Sequence, residues 1–166
     1  MEQHTGLILD EEAIGRKLRR MAYEIYERNA EEKELVLAGI LDRGLIVASH
    51  LEKILREIAD FDLRVVNLLL DRADPREVTV SGEADFNGRV IIVADDVANT
   101  GRTMLYAMKP VLTSLPRKIQ TAVLVDRTHK FFPVVANYIG HSLSTTLQEN
   151  IRVDISGDRI RGVYLS

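Results

Sequence analysis

The chain has 166 residues, 46% of them apolar and 28% charged, with a formal net charge of −3 at pH 7. That length and balance fit one soluble globular domain with a single core and exclude a disordered chain. There is no cysteine, which excludes disulfides and thiolate metal sites, and no apolar run approaches the roughly 20 residues of a membrane span.

The first residues, Met1 to Gly6, are polar and lack the basic-then-apolar layout of a signal peptide. A cytoplasmic location and no membrane partner are therefore expected. From Asp10 to Arg28, apolar side chains recur at Ile14, Leu18, Met21 and Ile25, the spacing of one helix face. Asp10 is the expected N-cap, with Glu11 and Glu12 in the first turn. The opposite face holds Arg16, Arg19 and Arg20.

Leu35 to Leu41 is an apolar run of strand length that ends in Asp42-Arg43-Gly44. Val47, Leu51, Ile54, Leu55 and Ile58 then fall at helical spacing, and Leu63 to Leu70 reads as the next strand. Strand, short loop, helix, strand implies a right-handed parallel crossover. Asp71 to Gly88 is polar and broken by Asp74-Pro75 and Asn87-Gly88, with room for a short strand at Glu77 to Val80. Arg89 to Val93 is a strand of the buried kind, Thr103 to Leu115 a helix that Pro110 kinks or splits, and Ile119 to Val125 another strand. Strand-like pieces follow at Tyr138–Ile139, Ile151–Ile155 and Val163–Leu165. The expectation is an α/β fold: a mostly parallel central sheet flanked by helices, with a small β-rich hood from about residue 126 to 166.

The stretch Val90 to Thr103, VIIVADDVANTGRT, is the most informative. An apolar strand runs into two adjacent acids, then a small polar loop with a glycine, then a helix. In open α/β sheets ligands bind beyond the carboxyl ends of strands, where this loop belongs. Asn99 to Thr103 offers main-chain N–H groups and two threonine hydroxyls at a helix start, which suits a phosphate. Asp95 and Asp96 can accept from sugar hydroxyls or orient water on a metal ion. Acid pairs at strand ends and Thr-Gly-x-Thr helix entries are each common in purely structural roles. Their contiguity behind one apolar strand favours the ligand reading.

The string Asp95-Asp96-Val97-(two residues)-Thr100-Gly101-x-Thr103 resembles the diphosphoribose-binding signature of type I phosphoribosyltransferases. Gly39-Ile-Leu-Asp-Arg-Gly44, Leu124-Val-Asp-Arg-Thr-His129, Asn137-Tyr-Ile-Gly140 and Leu9-Asp-Glu-Glu-Ala13 extend the likeness over nearly the whole chain. Together they look most like the bifunctional pyrimidine-operon attenuator/uracil phosphoribosyltransferases.

The resemblance implies a transferase that joins a free base to 5-phosphoribosyl 1-diphosphate, giving a nucleoside monophosphate and diphosphate. It implies that Asp95 and Asp96 bind the ribose hydroxyls and that Val97, Ala98, Asn99, Thr100, Gly101, Arg102 and Thr103 hold the 5-phosphate. Leu41, Asp42, Arg43 and Gly44 would grip the diphosphate, with Arg43 the cationic contact and Asp42 orienting it. Mg2+ would be held mainly by the substrate, with Asp95 and Asp96 reaching it through water. Asp126, Arg127, Tyr138 and Ile139 would meet the acceptor base, Tyr138 by stacking on it or lining its pocket, and Asp126 in place of a lysine favours uracil over a purine. A homodimer or higher homo-oligomer is implied as well.

Departures from the pattern keep alternatives open. Asn99 stands where a small or apolar residue is usual, and the Asp71 to Gly88 segment is shorter than the family's mobile loop. A short loop leaves room for a ligand-binding homologue with little turnover. A nucleotide-sensing RNA-binding attenuator is the other alternative. It is disfavoured by Tyr23 where a histidine is expected and by the acid Asp42 beside the diphosphate loop. His4, His50, His129 and His141 have no ligand-like spacing. Phe131-Phe132-Pro133 reads as core packing or a subunit contact.

Overall fold

The computed structural model describes residues 6–145 and 148–166. The chain begins with β1 (Gly6–Asp10), α1 (Glu11–Arg28), β2 (Glu34–Ile40), α2 (Leu41–Ile58) and β3 (Asp62–Leu69). It continues through β4 (Thr79–Ser81), β5 (Val90–Ala98), α3 (Arg102–Ala107), α4 (Lys109–Leu112) and β6 (Lys118–Arg127). The last strands are β7 (Tyr138–Leu143), β8 (Ile151–Ser156) and β9 (Arg159–Leu165). The six-stranded sheet runs β4-β3-β2-β5-β6-β7, parallel except for the antiparallel edge strand β4.

Alternate residues of the central strands enter two separate cores, which is why these strands read as continuous apolar runs. Leu35 and Leu37 of β2 and Val90, Ile92 and Ala94 of β5 pack with α1 and α2 on one face. Val36, Ala38 and Ile40, with Ile91 and Val93, pack on the other face with Met104, Ala107 and Val111. The helix periodicity of Asp10 to Arg28 is fulfilled: Ile14, Leu18, Met21 and Ile25 are buried, and Asp10 accepts from the Ala13 N–H at 2.8 Å. Pro110 splits the expected single helix into α3 and α4, both short.

Three expectations need correction. The hood is a separate three-stranded sheet, β1-β9-β8, so residues 126 to 143 belong to the main sheet and the amino-terminal strand β1 to the hood. β1 escaped notice because it is short and half exposed. There is no loop between β2 and α2: the helix starts at Leu41, which turns the chain at φ 54°. That left-handed geometry costs a branched residue roughly 1–2 kcal/mol, and Asn67 Nδ2 helps hold it by donating to the Leu41 carbonyl at 3.1 Å. Finally, the acid pair lies inside β5, whose pairing with β6 continues to Ala98.

From β2 the chain passes outward to β3, and from β5 it passes the opposite way to β6 and β7. The reversal between β2 and β5 opens a crevice at the carboxyl ends of those strands. The start of α2 and the acid pair meet there. A β-carbon on Gly44 would lie 2.5 Å from the Ala94 carbonyl oxygen, so only glycine lets the first turn of α2 sit this close to β5.

Candidate active site

Asp95 and Asp96 are both nearly buried, at 2% and 6% exposure. Successive residues of a strand face opposite sides, and the two carboxylates accordingly meet different arginines. Asp96 Oδ2 accepts from Arg43 Nε at 2.9 Å. Arg43 also donates through Nη2 to the carbonyl of Val153 in β8, which ties the first turn of α2 to the hood. Asp95 takes the bidentate fork of Arg72, with both nitrogen–oxygen distances at 3.2 Å. Main-chain donors add to the set, since Asp96 N–H reaches Asp95 Oδ1 and Val97 N–H reaches Asp96 Oδ1, each at 2.8 Å.

Two acids side by side in a dry crevice cannot both ionise cheaply. Burial pushes the Asp95 carboxyl upward and the Asp96 charge adds to the push, while Arg72 opposes it. For Arg72 itself burial opposes the charge, but the Asp95 hydrogen bond and nearby acids outweigh it and raise its pKa.

Beyond the acids, Val97 to Met104 line a cavity of about 50 Å³ together with Arg72 and Asp95. Gly101 takes φ 87° at the mouth of α3, a conformation that favours glycine. Arg102 donates to the Ala73 carbonyl at 3.2 Å and Lys109 donates to the Arg76 carbonyl. The segment after β3 is therefore pinned across the cavity, with Arg72 at its root. A second cavity, of about 190 Å³, lies between Asn99 and Thr100 on one wall and Arg127, Glu149, Asn150 and Ile151 on the other. Arg127 donates to the Glu149 carbonyl at 2.7 Å within that second wall.

The crevice thus gathers Leu41 to Gly44, Asp95 to Thr103 and Arg127, whereas the side chain of Tyr138 is enclosed in the core. Tyr138 is a correction: it opens β7 level with Ala122 and Ala94, two strands from the acid pair, and is fully buried, so no base can stack on it. Its hydroxyl donates to Gln120 Oε1 at 2.8 Å, and Asn29 Nδ2 donates to it at 3.2 Å. Ile139 is level with Val123 and Asp95, and its carbonyl accepts from Arg20 at 3.0 Å. Asp126, in register with Ala98, has its carboxylate 2.6 Å from Lys130 Nζ. Asp42 is exposed, and Arg43 takes its orientation from Asp96 and Val153.

Sequence reasoning missed Arg72, Lys130 and the strand-edge segment Glu149 to Ile151. Arg72 carried a usable signal: β3 is parallel to β2 and β5, so the residues just past it must emerge beside the acids. Lys130 carried none, because its approach to Asp126 depends on a loop with no regular structure.

The donor set suits a cation that arrives with its ligand. Asp95 and Asp96 offer hard oxygen donors, yet both are held by arginines, and no group of three or more His, Cys, Asp or Glu gathers to hold a resident metal among the described residues. Nor is any helix among them long and apolar enough to cross a membrane.

Comparison with known proteins adds to this geometry. The family model described as phosphoribosyl transferase domain matches residues 4–151. The bifunctional protein PyrR of Bacillus pumilus is 39% identical over 168 residues, covering 94% of this chain and 93% of the relative. The protein of the same name from Fusobacterium nucleatum is 35% identical over 163 residues, covering 92% of each. Among solved structures, the hypoxanthine phosphoribosyltransferase of Trypanosoma cruzi superposes with a TM-score of 0.80 at 16% identity, over 96% of this chain and 95% of that one. At that identity the likeness speaks for the fold alone.

Proposed function

The chain belongs to the phosphoribosyl transferase domain family, and from that premise we propose that it transfers phosphoribosyl from 5-phosphoribosyl 1-diphosphate to a free base, uracil by preference. The observation that carries the reading is the buried acid pair at the sheet's topological switch, set between the first turn of α2 and the loop before α3. Ligands of open α/β sheets bind at such a switch.

In this reading the ribose hydroxyls donate to Asp95 and Asp96, and the 5-phosphate sits against Val97 to Thr103. Entry of the ribose displaces Arg72 from Asp95, because the fork and the hydroxyls compete for the same oxygens. The diphosphate lies at the start of α2, where Ile40 provides no side-chain cap and the helix N-terminus favours an anion. Arg43, fixed by Asp96 and Val153, stands beside it. As the bond from ribose C1 to diphosphate breaks, positive charge grows on the sugar and negative charge on the leaving group. Arg43 and the main-chain donors stabilise the anion, while the acids hold the sugar in place, so no covalent enzyme intermediate is needed. Asp95 and Asp96 would hold Mg2+ through water, and the ion would supply charge stabilisation for the departing diphosphate.

The acceptor base is assigned to the cavity between Asn99, Arg127 and Asn150. Uracil is preferred because the position before Arg127 is an acid held by Lys130, so no free ammonium is offered there to a purine carbonyl. Lys130, the nearby lysine, is already engaged by Asp126 and by the Arg127 carbonyl at 3.2 Å. Diphosphate release measured with uracil, hypoxanthine and guanine tests this. Turnover with uracil and little with the purines is expected, and robust use of guanine or hypoxanthine with none of uracil would reverse the assignment.

An RNA-binding role draws less support from the arginines of α1. Arg16 is 3.0 Å from Glu12, and Arg20 is bonded to Glu24 and to the Ile139 and Gly140 carbonyls. The same reading carries a homodimer or higher homo-oligomer, for which light scattering is the check; a monomer at all concentrations removes it.

A further inference from the structure

Between β6 and β7 the chain runs ten residues without a helix, from Thr128 to Asn137. This connection packs against the phosphate-facing loop. The Thr100 carbonyl accepts from two successive N–H groups, Phe131 at 3.0 Å and Phe132 at 3.1 Å. Gly101 fits tightly against the same segment: a β-carbon there would meet the Phe132 carbonyl oxygen at 3.3 Å and Lys130 Cδ at 3.5 Å. In a planar trans peptide the carbonyl and the following N–H point in opposite directions. Pinning the Thr100 carbonyl therefore aims the Gly101 N–H away from the connection.

Residue 130 fixes where that connection lies. Its ammonium is 2.6 Å from Asp126 and 3.2 Å from the Arg127 carbonyl, and the two side chains are only 11% and 8% exposed. The Asp126 oxygen involved lies off a good hydrogen-bond direction, so the contact is best described as charge on charge. Asp126 belongs to β6 and is in register with Ala98 of β5 and Ser142 of β7, so the anchor is rigid.

We infer that Asp126 and Lys130 form a brace that orients the Thr100–Gly101 peptide for the 5-phosphate, which makes Asp126 a positioning residue and not a base contact. The inference rests on the proposed phosphoribosyl site. Asp126 holds Lys130, Lys130 holds the connection, and the connection fixes the peptide. The chemistry recognised at the end of this chain is a sugar 5-phosphate, so loss of the brace weakens phosphate-bearing ligands and spares the base.

The test measures ribose 5-phosphate binding by calorimetry, beside the KM for uracil and the melting temperature. Asp126→Asn and Lys130→Met should each weaken ribose 5-phosphate by roughly tenfold, the scale of a small misplacement of a binding group. The KM for uracil should stay within about twofold, and the double variant should be no worse than the worse single one, because both act through one contact. Asp126→Glu keeps the charge and should recover most of the affinity; it also serves if the neutral variants fail to fold. Raised KM for uracil with unchanged ribose 5-phosphate binding would overturn the brace and return Asp126 to the base. Lower melting temperature with both ligands unaffected would overturn it as well. A native chain that binds ribose 5-phosphate but turns over no base would count against the transferase reading alone, and the variants would still decide the brace.

Discussion

At the amino-terminal end of β6 and β7, Tyr138, Gln120 and Asn29 form a group of neutral side chains joined at 2.8 to 3.2 Å, with the guanidinium of Arg28 stacked 5.1 Å from the tyrosine ring centre. At the carboxyl-terminal end of β5, two acids are buried side by side and clamped by arginines from two other elements. Both groups are polar and both are buried, yet their energetics differ. Neutral partners in a dry site satisfy one another at little cost, whereas adjacent carboxylates repel and shed water they would otherwise keep. The first arrangement serves packing. The second carries a cost that packing does not offset, which accords with the proposed ligand site.

The largest effect expected from this contrast is on stability. Tyr138→Ala removes a fully buried aromatic ring and should cost about 3–5 kcal/mol, read by denaturant unfolding. The fraction that stays folded should bind substrate normally. Loss of substrate affinity in that fraction would mean the two groups are coupled.

Arg43→Ala should do the reverse, lowering turnover by about 10²-fold, the scale of one lost electrostatic donor. It should weaken nucleoside monophosphate binding much less, because the product carries no diphosphate. Equal losses in both measurements would make Arg43 structural, a tie between α2 and β8 and no more.

A smaller effect concerns pH. The folded pKa of Asp95 is raised from 3.8 to about 7, first by burial and then by Asp96. Between those values the folded chain keeps a proton that the unfolded chain has released, so this group's contribution to stability falls as pH rises. It is most favourable below 3.8 and fully lost above about 7. Melting temperatures from pH 4 to 8 should show Asp95→Asn gaining on the native chain as pH rises. A constant difference across that range would show that the acid pair carries no such penalty. The smallest effect is that of Tyr138→Phe, which removes only the hydroxyl. A loss of about 0.5–1.5 kcal/mol is expected, with kinetics unchanged.

How far the sequence discloses these two regions differs as well. The parallel sheet, the split at Pro110 and the cap at Asp10 are legible because burial on both faces and local chain chemistry set them. The acid pair and the glycine loop are legible because their spacing along one segment is itself the arrangement. Tyr138 misleads, since its sequence neighbours do not disclose that its ring is fully buried and its hydroxyl engaged by Asn29 and Gln120. Arg72 and Lys130 lie in irregular connections, and their partners are 23 and 4 residues away, brought near only by the fold. β1 is hidden because its hydrogen bonds go to β9, at the far end of the sequence.

The Asp95–Asp96 crevice is proposed as the ribose site for 5-phosphoribosyl 1-diphosphate. Titration calorimetry of that ligand with Mg2+ into the native chain, Asp95→Asn and Asp96→Asn tests it most directly. The native chain should bind, and Asp96→Asn should lose about 1.5–3 kcal/mol, the range for a hydrogen bond to a charged group. Unchanged affinity in both variants, or no binding to the native chain, would contradict it.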